Sequence, residues 1–359
     1  MQKKESQVLA LIMAGGKGTR FWPESTAKKP KQYLNLFSEN TLLNETCLRF
    51  KDFLNKEEIF VVTTKEQEEL CRASTDQMIN HDGIIFEPEG RNTAPCIFLS
   101  LLSLIDKGAS DDDVVVIVPS DHVILNHHGF KSTILNAVQF SKINQRIVTI
   151  GITPHFPHTG FGYIEKGEMV DAEAFQVVRF KEKPHFELAK EYVSSGKFLW
   201  NAGMFVAPIS VLMDEFRKHA PDMFDYKDQI LNHLKNKTDL KNLYQKLKED
   251  SFDYALMEKS DKVSVIPAQF DWNDLGSWDA LASVIPEKNT NTVVKSDGEI
   301  FLNSTENVIF APGKFVALID MDKHVIVVNE KVVLVAPIEK SQEVKRIVAE
   351  LKVTRPDLI

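Results

Sequence analysis

The chain has 359 residues, 43% of them hydrophobic and 26% charged, and its formal net charge is -8 at pH 7. These values are typical of a globular protein with a large core and, at this length, two domains. The acidic balance argues against a general binder of nucleic acid or of anionic membranes, because such proteins carry a basic excess.

The pattern of residues favours a cytoplasmic protein that does not enter a membrane. The apolar run near the N-terminus lacks the length and the small-residue cleavage site of a secretory signal. No stretch reaches the ~18 apolar residues of a membrane span. The three cysteines, Cys47, Cys71 and Cys96, are odd in number and lack metal-ligand spacing, so we expect reduced, buried thiols.

The first well-marked stretch, Leu9–Gln32, predicts a loop that binds phosphate. An apolar run from Val8 to Ala14 predicts a buried strand, which leads directly into a glycine cluster, Gly15, Gly16 and Gly18. Glycine lets backbone N–H groups approach an anion closely. Arg20 and a lysine-rich turn, Lys28–Lys31, follow and can neutralise its charge.

The loop fits neither of two common phosphate-binding patterns. It lacks the G-x-x-x-x-G-K-[ST] of a Walker loop, and its G-G-x-G-T-R spacing differs from the G-x-G-x-x-G of dinucleotide-binding folds. A tight strand-to-helix turn would explain the glycines by themselves. Arg20 and Lys31 beside them favour phosphate binding.

Strand-like and helix-like segments alternate after this loop. Apolar runs predict strands at Glu58–Thr63, Gly83–Glu87, Asp113–Val118 and Arg146–Ile150. Helical patterns fall between them, at Leu42–Phe50, Lys65–Ile79, from Asn92 or Thr93 onward, and at Phe130–Lys142. Apolar strands separated by helices favour parallel pairing with helices on both faces. We therefore predict an α/β, Rossmann-like fold with a mixed, mostly parallel sheet flanked by helices.

The middle of the chain is less regular. Further strands are predicted at Gly160–Glu165, Phe175–Phe180, Phe198–Ala207 and Lys262–Ala268, with helices at Pro184–Ser194 and Ser210–His219. The polar helical stretch that continues to about Asp250 is interpreted as a solvated lid or flank.

The character of the sequence changes near Asn289. Short β-branched runs separated by turn residues predict a small C-terminal β module that resembles a few coils of a β-helix; the runs are Glu299–Leu302, Asn307–Phe310, Phe315–Ile319, His324–Val328 and Val332–Val335. Apolar positions at helical spacing predict a closing helix, Ser341–Leu351. We predict a catalytic domain at 1–288 and a β-helix-like domain at 289–359.

Six motifs, in order along the chain, resemble those of the nucleotide-sugar pyrophosphorylases. The first is the glycine loop with its Phe21-Trp22-Pro23 and Pro30-Lys31-Gln32 continuations, which are most similar to those of the mannose-1-phosphate guanylyltransferases. The others are the loop from Glu87 to Pro95, Pro119–His122, Phe180–Pro184, Trp200–Phe205 and Asp271–Trp278. Together they span about Val8 to Trp278. The resemblance implies a fold of the nucleotide-diphospho-sugar transferase type.

The resemblance also implies a reaction, in which GTP and mannose 1-phosphate give GDP-mannose and pyrophosphate. The glycine loop would bind the nucleotide through Ala14, Gly15, Gly16, Gly18, Thr19 and Arg20. Arg20, Lys31, Asp121 and Lys183 would be the catalytic residues. The attacking phosphate is already an anion, so we expect positioning and charge neutralisation to matter more than general-base catalysis.

Two aspartates are predicted to hold Mg²⁺ or another divalent cation. Asp121 follows an apolar strand, at the edge where ligands bind in open α/β sheets, and Asp274 lies in a later loop after another strand. For either residue alone, a helix cap or turn would be the simpler role. Asp271 competes with Asp274, and the spacing to Gly276 favours Asp274. His122 is expected to be structural.

The resemblance places the sugar phosphate and guanine on other motifs. Lys183 would bind the phosphate of the sugar, Glu182 would accept hydrogen bonds from its hydroxyls, and Gly162, Tyr163 and Asn201 would complete the pocket. Glu87 or the backbone carbonyls of Glu87–Asn92 could accept from guanine. The N–H groups of Asn92 and Thr93 could face the nucleotide, although a simple helix cap would also explain them.

Two other functions stay open at this stage. One is a nucleotidyltransferase of the same fold that uses another base or sugar; the other is a silent subunit that senses GDP-mannose. About seventy residues follow Asn289, too few for a fused isomerase barrel, so we expect the short form of the family. In that form the β module helps dimerisation, so the resemblance implies a homodimer.

Overall fold

The computed structural model describes residues 6–16, 18–171 and 173–359. Its main sheet, counted over these residues, has nine strands: β1 (Val8–Met13), β2 (Ile59–Thr64), β3 (Ile84–Glu87), β4 (Val114–Pro119), β5 (Ile147–Ile152), β6 (Gly162–Asp171), β7 (Ala174–Glu182), β8 (Phe198–Pro208) and β9 (Val263–Pro267). The strand order is β3-β2-β1-β4-β8-β5-β9-β7-β6. Lys17 of the glycine loop and the first five residues of the predicted catalytic domain lie outside the described residues.

Most strands of this sheet run in one direction. The pairs β1–β2, β2–β3, β1–β4 and β5–β9 are parallel. β8 is antiparallel to β4 and β5, and β7 is antiparallel to β6 and β9. Within the described ranges, therefore, only β7 and β8 oppose the other strands. The predicted mixed, mostly parallel sheet is confirmed.

Helices cover both faces of the sheet. The helices are α1 (Leu42–Lys51), α2 (Glu68–Thr75), α3 (Thr93–Asp106), α4 (His127–Asn144), α5 (Phe186–Ser195), α6 (Ile209–His219), α7 (Pro221–Phe224), α8 (Lys227–Asn236), α9 (Lys241–Tyr244) and α10 (Val344–Thr354). One core packs α1, α2, α4 and α5 against the sheet, and a second core packs α3 and α6–α9. α2 is shorter than predicted, because the turn at Lys65–Gln67 is a separate 3-10 segment.

The polar stretch after α6 is a flank of the second core and not a solvated lid. Ile230 of α8 and Tyr244 of α9 are fully buried, and Leu247 is almost fully buried. These apolar residues are widely spaced in an otherwise polar segment, and together they form a buried stripe. The charged residues of the segment face outward. The average polarity of the segment hides this stripe.

The C-terminal strands form the predicted small β module. Its strands are β10 (Thr292–Lys295), β11 (Glu299–Leu302), β12 (Val308–Phe310), β13 (Val316–Ile319), β14 (His324–Val328) and β15 (Val333–Pro337). Thr292 pairs with Val308 and Val308 with Val325, both in parallel, so successive coils advance by 16 or 17 residues. β11 and β13 pair in parallel on another face, and β15 closes the module antiparallel to β14. Sequence reasoning missed β10.

The β module packs directly on the glycine loop. Phe21 lies 5.0 Å from Trp278 and Trp278 lies 5.3 Å from Phe310, measured between ring centroids. Trp22 Nε1 donates to the Leu358 carbonyl over 2.8 Å. One hydrophobic cluster therefore joins the start of the chain to its end. The division at residues 288 and 289 stays a prediction.

The described helices include none that is both long and apolar enough to cross a membrane. All three cysteines are buried and free, as the sequence predicts.

Candidate active site

The glycine loop begins where β1 ends, and its first two glycines have N–H groups without an acceptor among the described residues. Ala14 is fully buried, and its carbonyl accepts from Gln32 Nε2 at 3.0 Å and from Thr63 Oγ1 at 2.9 Å. Gly15 and Gly16 are exposed, and their N–H groups have no acceptor in the described part of the chain. Ala14 is therefore a structural anchor, whereas the two glycines keep exposed, unpaired N–H groups, which an anion site requires.

Gly18 is the position in this loop where only glycine fits. Its φ is 57°, and a Cβ there would lie 2.1 Å from the Cβ of Lys31. The two residues approach closely because Lys31 begins a 3-10 segment, Lys31–Tyr33, that packs under the loop. At Gly16, by contrast, a Cβ would meet nothing within 4 Å.

Gly18→Ala is expected to lower the free energy of unfolding by about 2–4 kcal/mol, because both the backbone conformation and the contact with Lys31 are incompatible with a side chain. Gly16→Ala is the matched control and should change it by less than about 0.5 kcal/mol. Urea unfolding of the two variants measures the difference. Equal stabilities would contradict this account of the loop.

Lys31 connects the two predicted metal ligands. Its Nζ lies 2.8 Å from Asp121 Oδ2 and 2.6 Å from the Asp274 carbonyl oxygen. The Lys31 side chain is 7% exposed, whereas that of Asp121 is 34% exposed and opens into the cleft. One ammonium group thus links the Asp121 loop to Asp274, which lies 243 positions after Lys31 in the chain. Lys28 and Lys29 are exposed and take no part.

Asp271, the competing candidate, is used elsewhere. Its two carboxylate oxygens accept from the backbone N–H groups of Leu125 and Asn126, over 2.8 and 2.6 Å. Asp274 accepts no hydrogen bond at its carboxylate from any residue the structure describes. The backbone turns sharply after it, because buried Leu275 has a φ of 44°. The structure therefore favours Asp274 as the available ligand.

The two carboxylates form a donor set that suits a hard divalent cation. Burial raises the pKa of Asp274, and the neighbouring Asp121 carboxylate adds to this against the opposing effect of Lys31. Burial also acts to raise the pKa of Asp121, but Lys31, with smaller effects of His122 and a backbone hydrogen bond, lowers that pKa overall. Over the described residues, no group of three or more His, Cys, Asp or Glu side chains could hold a metal. A cation here would need further oxygens from substrate or water, as Mg²⁺ usually does.

His122 and Arg49 support the Asp121 loop from behind. His122 Nδ1 accepts from Trp272 Nε1 at 3.1 Å, and burial lowers the pKa of His122 to about 4, so the imidazole is neutral at pH 7. Arg49, which is 3% exposed, donates to the His122 carbonyl over 3.2 Å. Sequence reasoning gave His122 a structural role and missed Arg49.

Three of the predicted sugar-phosphate residues, Gly162, Glu182 and Lys183, meet where β6 and β7 pair. Gly162 faces Glu182 across the two strands, and a Cβ on Gly162 would lie 2.5 Å from Glu182 Oε2. Lys183, with a φ of 45°, places its Nζ 2.9 Å from Glu182 Oε1. The Lys183 side chain is 63% exposed, so its ammonium can reach an incoming anion.

Asn201 and Tyr163 are already committed to partners in the protein. Asn201 Oδ1 accepts from the Gly203 N–H, and its Nδ2 donates to Asp253 over 2.9 Å. The Tyr163 ring is fully buried, and its hydroxyl bonds the backbone of His158. A sugar contact through the Tyr163 hydroxyl would require these bonds to break. Tyr163 therefore supports the loop before β6.

The polar side chains of the predicted guanine loop also form most of their hydrogen bonds within the protein. Tyr244 Oη donates to Glu87 Oε1 over 2.5 Å, and burial raises the pKa of Glu87. Asn92 caps α3 by accepting from the Thr93 N–H, and Thr93 Oγ1 accepts from the Phe252 N–H. The structure therefore shows Asn92 as the cap of α3, with the Thr93 N–H bonded to it, and a part of Asn92 and Thr93 in nucleotide binding stays a prediction. The backbone carbonyls after Glu87 are the remaining candidates for guanine.

Comparison with known proteins shows the family of this chain. Residues 9–291 match the family model described as nucleotidyl transferase. A mannose-1-phosphate guanylyltransferase from Escherichia coli is 37% identical over 353 residues, which cover 96% of this chain and 74% of the relative. The chain belongs to the nucleotidyl transferase family. The predicted enzyme class and family are therefore confirmed.

Two further matches extend over nearly the whole of this nucleotidyl transferase. "Mannose-1-phosphate guanylyltransferase 2" of E. coli O157:H7 is 35% identical, over 97% of this chain and 74% of the relative. A crystal structure titled mannose-1-phosphate geranyltransferase, from Thermus thermophilus, has a TM-score of 0.88 and 29% identity, and the match covers 97% of this chain and all of that one. The similarity thus includes the β module.

Beside the cleft of this nucleotidyl transferase lies a larger cavity that sequence reasoning did not foresee. Its volume is about 620 Å³, and Asp274 and Gly276 line both spaces. Its walls carry Phe161, Trp200 and Trp272, and the ring of Phe161 contacts each tryptophan edge to face. The sequence analysis also missed Asp253, which lies near Glu182. Burial, and then the Glu182 carboxylate, raise the pKa of Asp253 to about 6. Neither has a local sequence signal, since the contributing segments are far apart in the chain.

Proposed function

We propose that this chain transfers GMP from GTP to mannose 1-phosphate, giving GDP-mannose and pyrophosphate. The observation that carries the proposal is the junction at Lys31, which holds Asp121 and the Asp274 loop together beside free glycine-loop donors. The names of the relatives supply the base and the sugar.

In the proposed reaction, an oxygen of the sugar phosphate attacks the α-phosphorus of GTP. The new P–O bond forms in line with the bond that breaks, and pyrophosphate leaves with the electron pair. The attacking oxygen is an anion at neutral pH, so the site needs no strong general base. A neutral His122 is compatible with such chemistry.

The residues then take distinct parts. Arg20 and the amides of Gly15 and Gly16 would bind the β- and γ-phosphates. Lys31 would stabilise charge near the α-phosphate while it holds the two aspartates in place. Lys183, whose side chain is 63% exposed beside Glu182, would anchor the incoming phosphate.

Asp121 and Asp274 would hold Mg²⁺ or a similar divalent cation. Their oxygens are of the type that Mg²⁺ prefers, and a bound cation would offset the effects that raise the pKa of Asp274. When bound, the ion neutralises charge on the phosphate oxygens. The protein supplies only part of the coordination shell, so we expect the affinity to rise when nucleotide is present.

A pyrophosphate-release assay tests the proposal. With GTP, mannose 1-phosphate and Mg²⁺ the purified chain should release pyrophosphate, and an excess of chelator should abolish the release. To measure specificity, ATP or dTTP replaces GTP, and in a separate assay glucose 1-phosphate replaces mannose 1-phosphate. A faster reaction with another pair would assign the chain to a different pyrophosphorylase. Binding of GDP-mannose without turnover would instead indicate a sensing subunit.

We also propose that the chain is a cytoplasmic homodimer. The outer face of the β11–β13 pair exposes apolar side chains, with Ile300 at 54%, Leu302 at 53% and Ile319 at 65% exposure, and Phe315 next to them at 61%. A continuous apolar face of this kind favours contact with a second copy. Light scattering measures the mass in solution. Free buried cysteines fit a reducing compartment.

A further inference from the structure

The 3-10 segment that precedes α10, Ile338–Glu343, reaches the cleft from the far end of the chain. Gln342 Oε1 accepts from Arg20 Nη1 at 3.4 Å, and Gln342 Nε2 donates to Ser277 Oγ at 2.8 Å. Gln342 also lines the large cavity together with Asp274. A residue of the C-terminal module thus touches the arginine that the sequence marks as catalytic.

The segment is held firmly in this position. Ser341, which is 1% exposed, donates to Asp279 Oδ1 over 2.5 Å, and Val344 after it is 2% exposed. The adjoining α10 packs against the 3-10 turn that carries Arg20. The backbone at Gln342 is therefore held in place, so its side chain can fix the orientation of the Arg20 side chain.

The hydrogen-bond partners of Arg20 carry no charge, although the Asp274 carboxylate lies near enough for the two charges to interact. The guanidinium donates to the Gly276 carbonyl over 3.1 Å and to the Gln342 amide, both of which are neutral acceptors. No carboxylate in the described ranges forms an ion pair with it. A carboxylate at position 342 would give a stronger bond but would neutralise the charge that an anionic ligand requires.

We propose that Gln342 is a positioning residue that aims the Arg20 guanidinium at the terminal phosphates of the nucleotide while leaving its charge free. The proposal rests on the proposed function for the identity of the ligand. The β module is then part of the catalytic unit and supplies one amide to its phosphate end.

Three variants test this with two measurements. Gln342→Glu introduces a competing charge, and Gln342→Met removes the amide while keeping nearly the same side-chain size. Lys345→Gln is the control. Lys345 is exposed on α10, and this substitution changes the net charge by as much as Gln342→Glu does. We expect Gln342→Glu to raise the KM for GTP roughly tenfold or more, and Gln342→Met roughly threefold. The KM for mannose 1-phosphate should stay within about twofold of wild type in all three.

Calorimetric titration with pyrophosphate alone separates this proposal from the proposed function. The affinity should fall in the same order as the KM effects, and in an Arg20→Ala background Gln342→Glu should add nothing, because the effect acts through Arg20. If pyrophosphate affinity and the KM for GTP match the Lys345→Gln control in both variants, the proposal is overturned. If wild type fails to turn over GTP yet the Gln342 variants weaken pyrophosphate binding, only the proposed function fails.

Discussion

Asp274→Asn is expected to lower kcat by roughly three orders of magnitude, because the amide cannot supply the negative charge that a divalent cation requires. The substitution keeps the size of the side chain and removes a carboxylate whose pKa is raised by burial. The folded state should therefore be as stable as wild type, or slightly more so. Pyrophosphate release at a series of Mg²⁺ concentrations, combined with urea unfolding, measures both effects.

Asp271→Asn is the control with the opposite expectation. Asp271, the competing candidate for the metal ligand, accepts two backbone hydrogen bonds at the start of α4. Weakening these bonds should lower the free energy of unfolding by about 1 kcal/mol and change kcat by less than roughly threefold. A near-normal kcat in Asp274→Asn together with a large loss in Asp271→Asn would reverse the assignment of the metal ligand.

The strands and the site-bearing loops of the catalytic part were largely predictable. Runs such as Asp113–Val118 are apolar, bounded by turn residues, and buried on both faces, so their pattern is almost independent of what packs on them. Asp121 follows directly from such a strand. The place of Asp274 depended on a motif resemblance, and the structure then brought it to Lys31.

Contacts between distant segments were not predictable in this way. Tyr244 pairs with Glu87, 157 residues away, and Gln342 meets Arg20, 322 residues away. A tyrosine or glutamine in a polar stretch has no local pattern that names its partner. The sequence therefore did not show that Glu87 has a partner within the fold, and its part in binding guanine stays a prediction.

The coils of the β module did leave a signal that was overlooked. Asn307 Nδ2 donates to Asn291 Oδ1 at 2.9 Å, and Asn307 Oδ1 accepts from the His324 N–H. Asparagines 16 residues apart thus stack at one corner of successive coils. The short strands, three to five residues each, carry too little periodicity to show the repeat by themselves.

Lys31→Met tests the junction at the centre of the site, and it should affect both stability and turnover. The substitution leaves the half-buried Asp121 carboxylate without its ion-pair partner. We expect the free energy of unfolding to fall by about 2 kcal/mol, less than for a fully buried pair because Asp121 is 34% exposed. Turnover should fall by roughly three orders of magnitude, since a charge near the α-phosphate is lost and the two aspartates lose their common anchor.

A second substitution separates these two effects. In Lys31→Met combined with Asp121→Asn the Asp121 charge that lost its partner is removed as well, so stability should return to within about 0.5 kcal/mol of Asp121→Asn alone. Turnover should stay as low as in either single variant, because charge neutralisation and metal binding are both gone. A double variant as unstable as Lys31→Met would mean that the lysine stabilises the fold through its bond to the Asp274 carbonyl and not through Asp121. Lys31 would then act on the Asp274 loop alone, and the two carboxylates would not form one electrostatic unit.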